Sequence, residues 1–170
     1  MYIGEVCTRD VVICSPETSI GDAARLMREC HVGDVVIVEE RNGKRVPTGV
    51  VTDRDIVVEV VALDVPLDSL EIGDIKSQEL IVIRESDDVF EARELMQRHG
   101  IRRVPVVDKY GALAGIVTLD DLLEILTEEI GSMTKLISRE QSRETNARSS
   151  LPTDCEAHQS PETVAMEKAV

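Results

Sequence analysis

The sequence has no tryptophan, one phenylalanine and two tyrosines in 170 residues. With aromatics at 2% against a hydrophobic content of 42%, the core must be built from Val, Ile, Leu and Ala, and short β-branched strands alternating with helices are expected. The aromatic platforms on which single-stranded nucleic acid stacks are missing. So is a basic surplus: 19 Lys and Arg stand against 33 Asp and Glu, for a formal net charge of −14. Both absences speak against a nucleic-acid partner, which needs a basic face to neutralise phosphates.

Long apolar runs are also lacking. The longest, such as Val35 to Val38, fall far short of a bilayer span, and the opening MYIGEVCTRD shows no charged stretch followed by an apolar one. No membrane association and a cytoplasmic location are therefore expected. Cys7, Cys14, Cys30 and Cys155 show no C-x-x-C spacing and read as reduced thiols serving as small hydrophobes. Cys30, His31 and His99 make a poor metal set, because neighbours at a helix end rarely point at one ion; no metal is expected.

What the sequence does contain is a duplication. GEVCTRDVVIC from Gly4 runs parallel to GDIKSQELIVI from Gly73, and DAARLM from Asp22 to EARELM from Glu91, both at an offset of 69 residues. HVGDVVIVEE from His31 lies against GIRRVPVVDK from Gly100 at the same offset, and GVVTDRDI from Gly49 then matches GIVTLDDL from Gly115 at 66. The length change falls between the paired strands, where the first copy has Arg41-Asn42-Gly43-Lys44-Arg45 and the second only Tyr110-Gly111. Each copy reads as strand, helix, two hairpin strands and a second helix. In the first copy these are about Val11–Cys14, Ser19–Cys30, Val35–Glu39, Thr48–Val51 and Asp53–Ala62. In the second, the strands are about Leu80–Ile83, Val104–Val107 and Leu113–Val117, with helices over Asp88–His99 and Leu119–Ile130.

The first helix of each copy carries a core face at helical spacing, Ile20, Ala23, Ala24 and Met27 in one and Val89, Ala92 and Met96 in the other. Ser19 with Asp22, and Asp88 with Glu91, supply acceptors and carboxylates at the helix starts. The expected divisions are a first repeat at 1–63, a solvated acidic linker at 64–72, a second repeat at 73–138 and a mobile tail at 139–170. The tail is polar, holds Pro152 and Pro161, and keeps no apolar period.

Two tetrads stand at equivalent places, Thr52-Asp53-Arg54-Asp55 and Thr118-Leu119-Asp120-Asp121. A hydroxyl and a carboxylate three residues apart on a first helical turn lie on one side of it, where the carboxylate can accept both hydroxyls of a ribose. The same T-x-x-D spacing also serves as a plain helix cap, needing no ligand. Its occurrence twice, each time after a glycine-led strand, gives weight to the first use.

His99-Gly-Ile-Arg-Arg-Val-Pro-Val-Val-Asp108, followed by Gly115-Ile-Val-Thr-Leu-Asp-Asp-Leu122, resembles the CBS motif, named after cystathionine β-synthase. The resemblance covers both copies, roughly Gly4 to Ile130, and is closest to free-standing CBS-domain pairs, or Bateman modules. It implies an α/β (α+β) fold of two tandem β-α-β-β-α repeats packed through their sheets with pseudo-two-fold symmetry. It also implies two clefts, each taking T-x-x-D from one copy and apolar walls from the other. Thr118 and Asp121 would hold a ribose beside Val12, Val32 and Gly33, and Thr52 and Asp55 would do so beside Ile81 and Ile101. Positions matching Arg102 and Arg103 reach phosphates in similar domains, though both could equally be surface arginines of a strand edge.

The first copy departs from the pattern: Val36 replaces the usual Pro, and Asp34 stands where the second copy has Arg103. An acid there repels phosphate, so the Thr52–Asp55 cleft is the preferred site. The resemblance thus implies a non-catalytic regulatory module that binds AMP, ADP, ATP or S-adenosylmethionine as a regulatory ligand. No cofactor is required, and a homodimer and a separate effector protein are the expected partners. The alternative is a ligand-free dimerisation module. An enzyme is not expected, since no nucleophile is paired with a base and His31, His99 and His158 have no evident orienting group.

Overall fold

In each copy, three short β-branched runs form a sheet that is crossed and flanked by helices. The first sheet has β1 (Ile13–Cys14) parallel to β2 (Asp34–Arg41), which is antiparallel to β3 (Lys44–Thr52). The second repeats this order with β4 (Ile83–Arg84), β5 (Arg103–Val107) and β6 (Leu113–Thr118). Helices α2 (Ile20–Cys30) and α4 (Val89–His99) make the crossovers that parallel pairing requires. After β3 comes α3 (Asp53–Ile56), continued by a π-helical turn over Val57–Val61; after β6 comes α5 (Leu119–Ser149). This computed structural model describes residues 1–75 and 79–149. The fold is α/β, with two tandem repeats as the duplication predicts.

Both predicted helix starts are present. Ser19 Oγ accepts from the Asp22 N–H at 3.1 Å, and the Asp88 N–H donates to Glu91 Oε2 at 3.1 Å, satisfying donors that the first turn leaves unpaired. Of the expected α2 face, Ile20, Ala23 and Met27 are buried, whereas Ala24 is exposed. The extra residues of the first copy do not enlarge a loop. Asn42 and Gly43, with φ of 54° and 72°, make a two-residue turn, and the ladder extends to Arg41 opposite Lys44. Both hairpins bulge at the same point, leaving Thr48 and Ala114 unpaired before the strands reach Thr52 and Thr118.

The repeats exchange their first segments. Ile3 and Cys7, on and just beyond α1 (Ile3–Val6), pack with Ile83, Met96, Val104 and Val117 of the second repeat. Their backbone follows: the Ile3 N–H donates to the Asp87 carbonyl at 2.9 Å, and Thr8 bridges to Ile116. Reciprocally, Ile72 packs with Ile20, Ile37 and Val60 of the first repeat, and its N–H donates to the Thr18 carbonyl at 2.8 Å. Gly115 permits the first exchange, because a Cβ there would lie 2.8 Å from Cys7 Sγ and from the Thr8 carbonyl oxygen.

The stretches 1–63 and 73–138 exchange core residues, and between them Val65 and Leu70 of the acidic linker pack against the first core. Met1–Leu126 forms one compact unit, and the chain from Thr127 belongs to a second. Helix α5 does not end near Ile130 but runs on to Ser149, through the residues at which the tail was expected to begin. Thr134, Ser138 and Ser142 each donate a hydroxyl to the carbonyl four residues earlier, at 2.9–3.1 Å, while Ile130, Met133, Leu136 and Ile137 of the same turns stand exposed. The remainder of the expected tail, 150–170, lies outside the described residues. Among the described residues no helix is long and apolar enough to cross a membrane.

Candidate functional site

Thr52 ends β3 and caps α3, and the tetrad folds on itself for that reason. The Thr52 N–H and Oγ1 each donate to Asp55 Oδ2 at 2.8 Å, while the Asp55 N–H donates back to Thr52 Oγ1 at 3.2 Å. Thr118 and Asp121 repeat this at 2.7, 2.8 and 3.2 Å. Both tetrads are therefore helix caps. The cap occupies one carboxylate oxygen of each aspartate; among the described residues Oδ1 of Asp55 takes no hydrogen bond and remains an acceptor.

A cavity of about 300 Å³ opens beside the first tetrad, at the lower end of the range for small-molecule sites. All six residues expected of that cleft line it: Thr52 and Asp55 from the first repeat, Ile81, Ile101, Arg102 and Arg103 from the second. Leu80, Val50 and Pro105 extend its apolar wall. Sequence reasoning missed Arg54, which also lines the cavity and is exposed. It lay in plain view inside the tetrad, at the position where the second copy has Asp120.

Arg103 does not stand free. Its Nη1 forms an ion pair with Asp34 Oδ1 of the other repeat, and the two side chains are only 25% and 15% exposed. Burial pushes the Asp34 carboxyl above its ordinary range; Arg103 counters this and nearby Asp53 adds to it. Arg54 and Arg102 form no ion pair among the described residues.

The residues expected of the other cleft are placed differently. Val12 and Val32 pack against the first core, and Val32 and Gly33 line an open groove of about 620 Å³ beside Asp53 and Ile56. Thr118 and Asp121 do not line that groove. Where the first cleft carries Arg54, Arg102 and Arg103, the equivalent positions hold Asp120, Gly33 and Asp34. No group of three or more His, Cys, Asp and Glu among the described residues could hold a metal ion.

A CBS-domain family model matches residues 3–62 and 72–128. The chain belongs to the CBS-domain family. As a CBS pair it is 43% identical over 123 residues to an uncharacterised protein of Methanopyrus kandleri, a stretch covering 72% of this chain and 61% of that relative. The chain thus spans less than two thirds of that relative's length. Among solved structures, a CBS domain protein of Pyrobaculum aerophilum complexed with AMP shares 32% identity, with a TM-score of 0.66, over 75% of this chain and 99% of the other. A CBS domain pair in complex with 5′-methylthioadenosine and S-adenosyl-L-methionine shares 26%, with a TM-score of 0.66, over 76% and 98%. Each CBS match begins at an exchanged segment, so the family's sequence unit and the packed core are offset from one another.

Proposed function

We propose that this CBS pair is a regulatory, non-catalytic module that takes an adenine nucleotide or S-adenosylmethionine into the Thr52–Asp55 cleft and signals its occupancy to a partner. One observation carries the reading: an open carboxylate oxygen, an apolar wall and three arginines converge on a single cavity. In this reading Asp55 Oδ1 accepts from the ribose hydroxyls, Ile81 and Ile101 cover the base, and Arg54, Arg102 and Arg103 attract phosphate. AMP on one relative and S-adenosylmethionine on another support the ligand class. Thr118 and Asp121, with Val12, Val32 and Gly33, serve an uncharged nucleoside or stay empty, because two acids and a glycine stand there in place of the three arginines.

Signalling requires a partner. The second helices bury Ile56, Val60 and Leu122 but leave Val57, Val61, Leu123 and Leu126 between 45% and 57% exposed, an apolar surface suited to a second copy of the chain or to a separate effector protein. Thermal denaturation with AMP, ADP, ATP and S-adenosylmethionine tests the ligand. A ligand at about 100 times its Kd adds roughly 2.7 kcal/mol when it binds only the folded state. Stabilisation by none of the four at millimolar concentration overturns the reading in favour of a ligand-free dimerisation module.

A further inference from the structure

We infer that Asp34 sets the charge preference of the cleft by competing with a bound phosphate for Arg103; this rests on the nucleotide reading above and deepens it. Arg103 lines the cavity and at the same time bridges to Asp34 of the other repeat. Both Arg103 and Asp53 flank Gly33: a Cβ built there would lie 3.6 Å from Arg103 Nη1 and 3.5 Å from Asp53 Oδ2. The guanidinium is thus set among Asp34, Asp53 and the cleft, with two carboxylates already near it.

A phosphoryl group entering beside the open Arg54 and Arg102 draws on the donors that Asp34 now engages. Asp34 is then left half-buried with its charge uncompensated and Asp53 nearby, which counts against every phosphorylated ligand. An uncharged nucleoside makes no claim on Arg103 and meets no such penalty. The exchange also replaces a direct tether between the repeats with one that runs through the ligand, so occupied and empty clefts differ in how the two sheets are joined. Arg54 and Arg102 attract phosphate, and Asp34 decides how strongly that attraction is rewarded over adenosine.

Calorimetric titration of AMP and adenosine into the wild-type chain and Asp34→Asn tests this. The substitution keeps shape while removing charge, and the expected result is an AMP affinity about two- to ten-fold tighter with adenosine unchanged, on the scale of one partly exposed ion pair. In an Arg103→Gln background, Asp34→Asn should no longer alter AMP affinity, since there is no guanidinium to contest. Equal effects on both ligands, no effect on either, or an effect that persists without Arg103 overturns the inference while leaving nucleotide binding intact. Failure of the wild type and Asp34→Asn to bind either ligand overturns the cleft reading and the inference with it. Should Asp34→Asn not melt cooperatively, Asp34→Ser is read by the same AMP-to-adenosine ratio.

Discussion

Asp34 and Arg103 stand at equivalent places in the two repeats, 69 residues apart, and are ion-paired to each other. Residues close to a two-fold axis meet their own counterparts, so a perfectly symmetric duplication would set two acids or two arginines face to face there. Like charges at hydrogen-bonding distance in a partly buried site oppose each other strongly. Divergence at this position therefore turns a repulsion into a bridge, and it sets an arginine on the wall of one cavity where its counterpart is an acid.

The two tetrads make the same cap but are expected to differ in ligand binding. Asp55→Ala and Asp121→Ala should each lower stability by about 1 kcal/mol, the scale of a lost helix cap. Only Asp55→Ala should also weaken AMP binding, by about 1–3 kcal/mol, through the loss of a charged acceptor. Paired denaturation and calorimetry read both effects. Equal losses of AMP affinity would show that the arginines do not select the cleft.

Ile3 is fully buried in the second repeat's core. Ile3→Ala should cost about 2–5 kcal/mol in urea denaturation, as for other large core residues. A loss below about 0.5 kcal/mol would mean that α1 is not docked in solution.

Much of this was legible in the sequence, and the reasons differ by element. The offset of 69 aligned strands and helices because each element has its own period, and the resemblance to the CBS motif drew Thr52, Asp55, Ile81, Ile101, Arg102 and Arg103 to one cleft. The exchange of Ile3 and Ile72 was not legible, since single apolar residues in one-turn helices carry no period. Helix α5 was cut short at Ile130 although Leu126, Ile130, Met133 and Ile137 keep a helical spacing; they are exposed, so no buried face marks where the helix goes on. The equivalence of Asp34 and Arg103 could be read from the alignment; their contact could not, because it depends on how near the axis they lie.

Thr48 is the bulge residue of the first hairpin, and its Oγ1 is buried without a hydrogen-bond partner among the described residues. Thr48→Val keeps the shape and removes the stranded hydroxyl. A gain of about 1 kcal/mol in thermal or urea denaturation is expected, the lower range of the cost of an unsatisfied buried polar group. A loss of that size would show that the hydroxyl has a partner in solution.

Burial pushes the Cys14 thiol up to about 11 from 9.0, a shift that its hydrogen bond to Thr18 only partly offsets. The folded state holds this proton more tightly than the unfolded chain does. The associated stability is therefore complete below pH 9 and is lost as pH rises toward 11, by up to about 2–3 kcal/mol. Denaturation midpoints across that range should fall more steeply for the wild type than for Cys14→Ala; identical slopes would contradict the shift.

The exchanged first segments bear on how the molecule comes apart. Pulling Ile3 and Cys7 away opens the second core, and pulling Ile72 away opens the first, so neither half can melt and leave the other whole. A gene cut between the copies would yield two chains, each missing a plug that the other carries. What was inherited after the duplication is for this reason an interlocked whole, and a mutation that loosens one half is felt as strain on both.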